Sequence, residues 1–405
     1  MLMHACRLCG AKTFDDVLNF GNLPIAHRLV SRRGEREERF PFALHVCRTC
    51  GLLQNLTPID PHILYTSYNY NFSSWKPEPH LADEVERLMT FGEVHSVAEI
   101  GCNDGLFLAK LRDAGAQKLV GIEPNTISGQ IARDRGLDIY GSMATRALCD
   151  DILEKHGKVD VVVARQVIEH IVDLDEFFAC IDSLLKADGF VFFDVPDIGP
   201  ACDGGDCSVL WEEHVNYFSA ETFAALLLRH GLRVSELIRY NFSGGTLAVL
   251  ARRCAPVKEF VMDAYALERS HRFGQKIAHY RERVISGLES ARTSGYRLVL
   301  YGAGVRACML VNGLGLAPYL DYAVDDQIER QGKFLPGGLL EIRSMESVFS
   351  DNERMVCILA VNQENEEKVK TRVRGLCPDN VEFISACIPG DIWGDLDRLD
   401  TLGSN

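Results

Sequence analysis

The chain has 405 residues, 47% of them hydrophobic and 25% charged, which is the composition of a globular protein with about two to three domains. Its formal net charge of -14 argues against a nucleic-acid partner, because phosphate binding needs a concentrated basic surface. The sequence has no apolar run of the roughly 18 residues that a membrane span needs. We therefore expect no membrane partner and a cytoplasmic protein whose cysteines stay reduced or bind metal.

The first predicted domain covers residues 1–75 and carries two Cys-x-x-Cys pairs, each followed by a glycine. The pairs are Cys6 with Cys9 and Cys47 with Cys50. Four thiolates paired in this way suit one tetrahedral structural zinc, and a closed site of this kind leaves no position for catalysis. The long separation between the pairs predicts a structured loop or hairpin near 40–46.

A run dense in aromatic and hydroxyl side chains follows at 64–75 and contains Tyr68 and Tyr70. Phenols need hydrogen-bond partners when they are buried, so the run fits poorly inside a core. It predicts either a loop that covers a substrate or an aromatic linker between domains. Composition alone leaves both interpretations open.

The second predicted domain, 76–255, alternates helical and strand-like segments as a doubly wound α/β sheet does. Its main motif is a short apolar strand at 96–100 that ends in a glycine turn before a helix. The next strand ends in Glu123, where a carboxylate can accept both hydroxyls of a ribose. The glycine spacing differs from the Gly-x-Gly-x-x-Gly that cradles a pyrophosphate, which favours S-adenosylmethionine over NAD.

Later strands of this domain are predicted at 138–141, 159–165 and 190–194. Ser142 and Met143 directly follow the strand at 138–141 and stand where an adenine ring would be contacted. The strand at 159–165 leads to His170 at the carboxyl edge of the sheet. The predicted cofactor residues are Glu99, Gly101, Asn103, Gly105, Glu123, Pro124, Ser142, Met143, Arg165 and Gln166.

Charged and aromatic side chains alternate through 210–219 too tightly for a strand or a helix face, which predicts a loop leading into a helix capped by Ser219. In this loop the Glu213-His214 pair is a candidate general base, because a carboxylate neighbour stabilises a charged imidazole. A structural role for the pair is equally compatible with the sequence. The glycine turn at 244–245 could bring backbone close to a ligand or form an ordinary hairpin.

The third predicted domain, 256–405, opens with a helix-rich connector over 257–294. A second strand, glycine turn and helix start follow at 297–306, and the next strand ends in acid at Asp325, as in a nucleotide-binding half. Ala307 stands where a third glycine would complete the dinucleotide fingerprint, and some turns of this kind accept alanine there, so the sequence leaves catalysis with NAD open without supporting it.

These motifs, in this order, resemble the three-domain C-methyltransferases that make branched-chain deoxysugars. The resemblance spans nearly the whole chain and rests on the cysteine pairs, both strand-and-glycine turns, the Glu213-His214 loop and the turn at 244–245. It implies an α/β protein in which a class I methyltransferase sheet is flanked by a small zinc-binding N-terminal domain and a Rossmann-like C-terminal domain. It also implies that the C-terminal domain helps to bind a nucleotide-diphosphate sugar.

The resemblance assigns roles to individual residues. His214 corresponds to the family's proton-abstracting base, Glu213 orients it, and His170 lines the same pocket with a tyrosine from the 68–70 segment. The implied catalytic set is therefore His214, Glu213, His170, Tyr68 and Tyr70. Relatives can carry a tyrosine at the position of Trp211, whose indole offers an N–H donor but no acidic hydroxyl. The implied substrate-binding residues are Trp211, Asn216, Gly244, Gly245, Tyr301, Gly302, Gly304, Arg306 and Asp325.

The expected reaction is methylation of a carbon next to a ketone, with C3 of a 4-keto sugar as the position that the resemblance favours. A base removes the proton beside the ketone, nearby donors stabilise the enolate, and the enolate attacks the sulfonium methyl group without need of a metal. Two alternatives stay open: an O- or N-methyltransferase acting on a sugar nucleotide, and a non-catalytic zinc-ribbon interaction protein. We expect a monomer or a weak oligomer.

Overall fold

The computed structural model describes residues 4–65, 78–257, 264–349, 353–377 and 380–402. Within these ranges the strands are β1 Phe14–Pro24, β2 Arg39–Cys47, β3 Leu53–Asn55, β4 Ser96–Ile100, β5 Lys118–Ile122, β6 Asp138–Tyr140, β7 Val159–Arg165, β8 Leu185–Pro196, β9 Asn216–Tyr217, β10 Leu232–Tyr240, β11 Thr246–Arg253, β12 Arg297–Tyr301, β13 Tyr322–Val324, β14 Ile342–Arg343, β15 Met355–Leu359 and β16 Val381–Ser385. The helices are α1 Pro61–Tyr65, α2 Leu81–Phe91, α3 Leu106–Asp113, α4 Thr126–Asp134, α5 Arg146–His156, α6 Leu174–Leu184, α7 Ile198–Gly204, α8 Ala220–Arg229, α9 Ala264–Thr293, α10 Val305–Gly313, α11 Met345–Phe349, α12 Gln363–Leu376 and α13 Ile392–Leu402. Short 3₁₀ helices occur at Ile168–His170 and Ala317–Tyr319.

The N-terminal sheet borrows a strand from the central part of the sequence. Its order is β1-β2-β3-β9, and the hairpin expected near 40–46 lies in β2, paired with β1. β9 begins just after His214 and pairs with β3, so the loop of the candidate base is attached to this sheet. The predicted domain boundary after residue 75 falls in 66–77, outside the described residues, and stays a prediction.

The central sheet has the order β10-β11-β8-β7-β4-β5-β6 across the described ranges. β6, β5, β4, β7 and β8 are parallel, and β11 pairs antiparallel with both β8 and β10, so β11 alone among these described strands runs against the others. This arrangement is the class I methyltransferase fold. The connections run outward from β4 in one direction and from β7 in the other, so β4 and β7 flank the switch point at which open α/β sheets bind ligands.

The sequence of β7 shows why this strand occupies the middle of the sheet. Val161 and Val163 belong to the core on one face, whereas Val162 and Ala164 belong to the core on the other face. All four side chains are fully buried. A strand that is covered on both faces has a continuous apolar sequence rather than an alternating one, which is why its limits could be predicted.

The C-terminal sheet is parallel, with the order β14-β13-β12-β15-β16 in the described part of the chain. The predicted helix-rich connector is a continuous helix, α9, from Ala264. Its buried residues recur at helical spacing and join the same core as β12: Phe273, Ile277, Tyr280, Val284, Leu288 and Ala291. Among the residues described here, no helix has the length and apolar character needed to cross a bilayer.

Candidate active site

A cavity of about 530 Å³ lies at the carboxyl edge of β4, β5 and β7. Loops that follow these strands form one side of its wall, and Trp211 and His214 close another side. The acidic side chains on the wall are Glu78, Glu99, Asp104, Glu123, Glu169, Asp173 and Glu176. Arg165 is the guanidinium that lines the cavity among the described residues, so the wall favours a cationic ligand.

The two predicted glycines of the first turn have different tasks. Both are left-handed, with φ of +73° at Gly101 and +74° at Gly105. A Cβ on Gly101 would stand 2.4 Å from Val167 Cγ2, and Gly101 lines the cavity. A Cβ on Gly105 would meet Leu137 and Ala132 instead, at 2.5 and 2.9 Å, so Gly105 permits helix packing and is not on the cavity wall.

Glu123 has the geometry expected of a ribose-binding carboxylate. It is 8% exposed, and its Oε2 and Oε1 accept hydrogen bonds from the backbone N–H groups of Asn103 (2.8 Å) and Asn125 (2.7 Å). Burial raises the pKa of Glu123, and the two N–H donors oppose that shift. Each carboxylate oxygen keeps acceptor capacity, so two neighbouring hydroxyls fit here.

Glu99 is a buried carboxyl group that faces the cavity. It is 2% exposed, and burial raises its pKa to about 8. Its Oε2 has no hydrogen-bond partner among the described residues. An ammonium or hydroxyl donor on a ligand would satisfy this oxygen, and an ammonium group would also favour the ionised form.

Arg165 and Gln166 line the cavity, but other protein groups already hold them. The Nη2 atom of Arg165 lies 2.6 Å from Glu78 Oε2 and 2.9 Å from Glu84 Oε2. Gln166 has a left-handed backbone (φ +53°), and both its N–H and its Nε2 donate to Asp194. These contacts fix the shape of the loop after β7.

Of the remaining predicted cofactor residues, two line the cavity and one does not. Pro124 and Met143 are on the cavity wall. Ser142 is exposed and off the wall, and its Oγ donates to the carbonyl of Met143 at 3.2 Å. Of the two residues expected near an adenine ring, Met143 therefore lines the cavity and Ser142 does not.

Two imidazoles meet on the cavity wall. The rings of His170 and His214 are 4.7 Å apart and inclined by 78°. His170 Nδ1 lies 3.0 Å from the hydroxyl of Tyr65 and 3.2 Å from the carbonyl oxygen of Glu213. Burial lowers the pKa of His170 to about 4, which keeps this ring neutral at neutral pH. His214 itself is 3% exposed.

The loop around this imidazole pair differs from expectation at two positions. Trp211 packs its ring 4.7 Å from that of His214, but its Nε1 donates to the carbonyl of Ser208 at 3.0 Å. Asn216 is 1% exposed and off the cavity wall. Its Nδ2 donates to the carbonyls of Ile168 and Ile171, so its contacts hold the 168–170 turn rather than a substrate.

The predicted substrate residues of the C-terminal sheet lie away from the cavity. Tyr301, Gly302, Gly304, Arg306 and Asp325 are not on its wall in the described residues. Arg306 instead reaches the central domain, where its Nη1 donates to Ser208 Oγ at 2.8 Å and a Cβ on Gly244 would stand 3.0 Å from its Nη2. Gly245 lies beside Gly244 in that turn, and Tyr301 donates its hydroxyl to Asp326 at 2.8 Å.

The four predicted zinc ligands come together as a compact cluster. The Sγ atoms of Cys6 and Cys50 are 3.5 Å apart, as are those of Cys9 and Cys47, and all four lie within 4.8 Å of one another. A tetrahedron with Zn–S bonds of about 2.3 Å places sulfurs about 3.8 Å apart, so the donor set fits zinc. Gln54 Nε2 donates to Cys6 Sγ at 3.2 Å and supports the thiolate.

Three family models match successive parts of the chain: "Putative zinc binding domain" at residues 6–65, "Methyltransferase domain" at 75–237 and "C-methyltransferase C-terminal domain" at 243–387. C-methyltransferase NovU of Streptomyces niveus is 29% identical over 378 residues, which span 88% of this chain and 89% of the relative. The chain belongs to the three-domain S-adenosylmethionine-dependent C-methyltransferases.

Other relatives of this C-methyltransferase match a smaller part of it. The mitochondrial ubiquinone biosynthesis O-methyltransferase of Bos taurus is 32% identical over 101 residues, or 24% of this chain and 27% of the relative. Among solved structures, magnesium protoporphyrin IX methyltransferase of Synechocystis PCC 6803 covers 43% of this chain and 77% of its own, with 14% identity and a TM-score of 0.32. A TM-score this low supports no conclusion about the function of this chain.

The cofactors of this C-methyltransferase are S-adenosylmethionine and a structural zinc. The chemistry of the cavity fits the first, because Glu123 offers acceptors for a diol, Glu99 has an unsatisfied acceptor oxygen and the wall is acidic. The cysteine cluster fits the second. Zinc has no open position there, so its contribution is to stabilise the N-terminal sheet.

Sequence reasoning missed two residues of this C-methyltransferase site. Tyr65 and Glu169 line the cavity beside the imidazole pair, whereas the predicted Tyr68 and Tyr70 lie outside the described residues. Tyr65 belongs to the same aromatic run, so that run carried the signal without identifying the tyrosine. Glu169 precedes His170 directly, but an adjacent Glu-His pair is too common to be informative without the fold.

Proposed function

We propose that this C-methyltransferase methylates a carbon beside the ketone of a nucleotide-diphosphate keto-deoxysugar, at C3 of a 4-keto sugar. The observation that carries the proposal is the buried pair of imidazoles, His170 and His214, in the cavity that fits the cofactor. The sugar class rests on the family resemblance of the motifs. A carbon acceptor is supported by the C-methyltransferase relative and the C-terminal family match.

His214 is the base that removes the proton beside the ketone. A carbon acceptor needs a base because a C–H bond next to a carbonyl is a weak acid, and a neutral imidazole accepts the proton and carries it as imidazolium. His214 reaches the cavity, and its burial keeps bulk water from the transferred proton. S-adenosylmethionine, when bound, supplies an electrophilic methyl group.

Tyr65 donates its hydroxyl to the developing enolate oxygen. It lines the cavity, and its hydroxyl lies within hydrogen-bond distance of neutral His170, which holds the phenol in place. Trp211 cannot take this part, because its N–H is bonded to the carbonyl of Ser208. The phenol that relatives can place at the position of Trp211 is thus replaced by one from α1.

The diphosphate of the substrate lies outside the acidic cavity, since the ionised carboxylates on its wall would repel it. The direction that remains is toward Arg306 and Gly244, at the contact between the central and C-terminal domains. Ser208 joins the two places: its carbonyl accepts from Trp211 of the cavity wall, and its Oγ accepts from Arg306. Ser208 is fully buried, so it connects the cavity wall to the contact between the two domains without itself forming a path for the substrate.

The test is to incubate the enzyme with S-adenosylmethionine and a series of 4-keto and 3-keto sugar nucleotides and to follow methylated products by mass spectrometry. His214→Asn should lower turnover by about 10² to 10⁴ while cofactor affinity stays unchanged. The variant should also lose exchange of the substrate's α-proton with deuterated solvent, because exchange needs the base but not the methyl group.

The matched control is His95→Asn, since His95 is exposed and away from the cavity wall. It should leave both rates unchanged. Methylation of a hydroxyl or amine of these sugars without α-proton exchange would contradict the proposal and favour an O- or N-methyltransferase. Persistent exchange in His214→Asn would assign the base to another group, with His170 first.

A further inference from the structure

The carboxylate of Glu169, which the reaction above does not use, converges in the cavity with the two imidazoles that it does use. Glu169, His170 and His214 each bring one ligand atom to within 4.8 Å of the other two. Glu169 Oε1 and His170 Nε2 are 3.7 Å apart, close to the separation of neighbouring ligands around a metal with bonds of about 2.1 Å. We propose that Glu169, His170 and His214 bind a divalent transition-metal ion, separate from the structural zinc, and that this ion inhibits the enzyme.

The surroundings of His170 match those of a metal ligand. Its Nδ1 faces the carbonyl of Glu213 at 3.2 Å, so an N–H there leaves the lone pair of Nε2 directed toward Glu169. A second hydrogen bond of this kind usually orients ligating histidines. The ligand atoms, which lie within 4.8 Å of one another, would have to approach to about 3.4 Å to surround one ion tetrahedrally.

The backbone that carries the three ligands is fastened together. Asn216 Nδ2 donates to the carbonyls on both sides of the 168–170 turn, at 3.3 and 2.8 Å. The N–H of Val215 donates to the carbonyl of Glu169 at 2.9 Å, which joins the segments of Glu169 and His214 directly. Binding therefore requires little ordering of the chain, and preorganised ligands bind more tightly.

A second cluster of the same composition supplies the contrast. His80, Glu84 and Asp194 also bring ligand atoms within 4.8 Å of one another. There, however, the guanidinium of Arg165 stands 2.9 Å from Glu84 and 3.6 Å from Asp194. A guanidinium is always charged, so it excludes a second cation from that cluster.

The ligand set selects the class of ion. Two imidazoles and one carboxylate suit Zn²⁺, Ni²⁺ and Co²⁺, whereas Mg²⁺ prefers oxygen ligands and retained water. The acidic cavity wall also raises the local concentration of cations. Coordination from one side leaves positions open toward the cavity.

The inhibition rests on the proposed function, because a metal bound to His214 occupies the lone pair that would accept the proton. Excess Ni²⁺ should therefore slow α-proton exchange in the wild type. Binding of the ion does not depend on that function and can be measured without substrate.

The experiment is equilibrium dialysis against Ni²⁺ of tag-free protein that holds one zinc per chain, with zinc and nickel measured by elemental analysis. We expect about one nickel per chain beside the retained zinc, and an affinity for Ni²⁺ that falls about 10- to 100-fold or more in Glu169→Gln. His170→Asn should lose the same nickel, which covers the case in which one variant does not fold. Retention of the structural zinc reports correct folding of each variant, and added Mg²⁺ should not displace the bound Ni²⁺.

The matched control is Glu84→Gln, which removes a carboxylate of the cluster that Arg165 fills. It should keep the nickel. Absence of tight nickel binding in the wild type, its persistence in both ligand variants, or its loss in Glu84→Gln alone would overturn the proposal. Nickel binding without slowed exchange would leave the site intact and contradict the role of His214 as base, so the two failures are distinguishable.

Discussion

The central and C-terminal sheets each contain a strand, a glycine turn and a second strand that ends in an acid, but the two turns differ in what is left for a ligand. In both, the acid accepts a backbone N–H of the turn: Glu123 from Asn103 and Asp325 from Ala303, each at 2.8 Å. Asp325 also accepts from the guanidinium of Arg330 at 3.2 Å. No cation is among the hydrogen-bond partners of Glu123 in the described residues, and Glu123 lines the cavity.

The shared sequence motif therefore specifies the conformation of the turn but does not specify a ligand-binding site. The C-terminal turn is closed by its own protein, since a Cβ on Gly302 would stand 2.7 Å from the carbonyl of Ala360 and Arg330 neutralises the acid. The central turn keeps an unsatisfied oxygen on Glu99 and a carboxylate on Glu123. A binding site arises where the fold leaves polar groups without internal partners.

Loss of a zinc ligand should destabilise the N-terminal sheet strongly without weakening cofactor binding at the central turn. Cys47→Ser removes a zinc ligand and should lower the free energy of unfolding of the N-terminal sheet by about 4 kcal/mol or more. Turnover should fall because β3 pairs with β9 beside His214. Affinity for S-adenosylmethionine should stay unchanged because the central turn belongs to another sheet. Denaturant unfolding, a methylation assay and calorimetric titration measure these three quantities, and elemental analysis reports the zinc content.

Cys149→Ser is the matched control, since Cys149 is a buried cysteine outside the cluster. It should keep full zinc content. Loss of cofactor affinity together with zinc in Cys47→Ser would mean that the central turn depends on the N-terminal sheet, and the comparison between the turns would then be incomplete.

The next effect tests the comparison directly. Glu123→Ala removes charge-assisted hydrogen bonds of about 1.5 to 3 kcal/mol, so affinity for S-adenosylmethionine should fall at least about tenfold. Asp325→Ala removes the equivalent acid of the closed turn and should leave this affinity unchanged while lowering stability. Calorimetric titration of both variants decides the matter, and equal losses would show that the two turns do not differ as ligand sites.

The sequence could predict the local parts of this comparison and not the long-range ones. Both glycine turns and the limits of β7 follow from neighbouring residues and from continuous apolar runs. That Arg165 would be held by Glu78 depends on a contact 87 residues away in the chain. The two-residue strand β9, which holds the loop of His214 against β3, likewise has no signal of its own.

For the side chains of the site, too, local sequence predicts some features and long-range contacts determine others. Glu123 and His214, which local motifs singled out, line the cavity, whereas the indole of Trp211 donates to Ser208 and the amide of Asn216 donates to the 168–170 turn. Such orientations follow from which acceptors the packed fold presents. A sequence specifies the donor but not its direction.

A smaller effect concerns the glycines of the two turns. Gly101→Ala places a Cβ 2.4 Å from Val167 in left-handed backbone, and Gly302→Ala places one 2.7 Å from the carbonyl of Ala360 at φ +106°. Each should lower the free energy of unfolding by about 1 to 3 kcal/mol. Cofactor affinity should fall in Gly101→Ala alone, and its retention there would contradict the placement of the cofactor at this turn.

The smallest change in stability is expected at the amino edge of the central and C-terminal sheets. There, an aspartate accepts hydrogen bonds from backbone N–H groups at the start of β4 and of β12. Asp160 Oδ2 accepts from the N–H groups of His95 and Ser96 at 3.0 and 2.8 Å, and Asp321 Oδ2 accepts from that of Leu298 at 2.8 Å. Asp160 also accepts from the hydroxyl of Ser96 at 2.8 Å. The central sheet therefore depends more on its acid than the C-terminal sheet does.

Burial alone would raise the pKa of Asp160, but the Lys186 ammonium and the Ser96 donors outweigh it and hold the pKa at about 2. The unfolded chain titrates near 3.9, so the carboxylate contributes stability that is fully present above about pH 4 and is lost as the pH falls toward 2. Asp160→Asn should lower the free energy of unfolding by about 1 to 2 kcal/mol at pH 7, and this difference from the wild type should shrink between about pH 4 and pH 2. Asp321→Asn, with fewer donors to lose, should cost less at pH 7. Urea unfolding across this pH range measures both, and a difference for Asp160→Asn that stays constant down to pH 2 would mean that the ionised carboxylate is not what holds the start of β4.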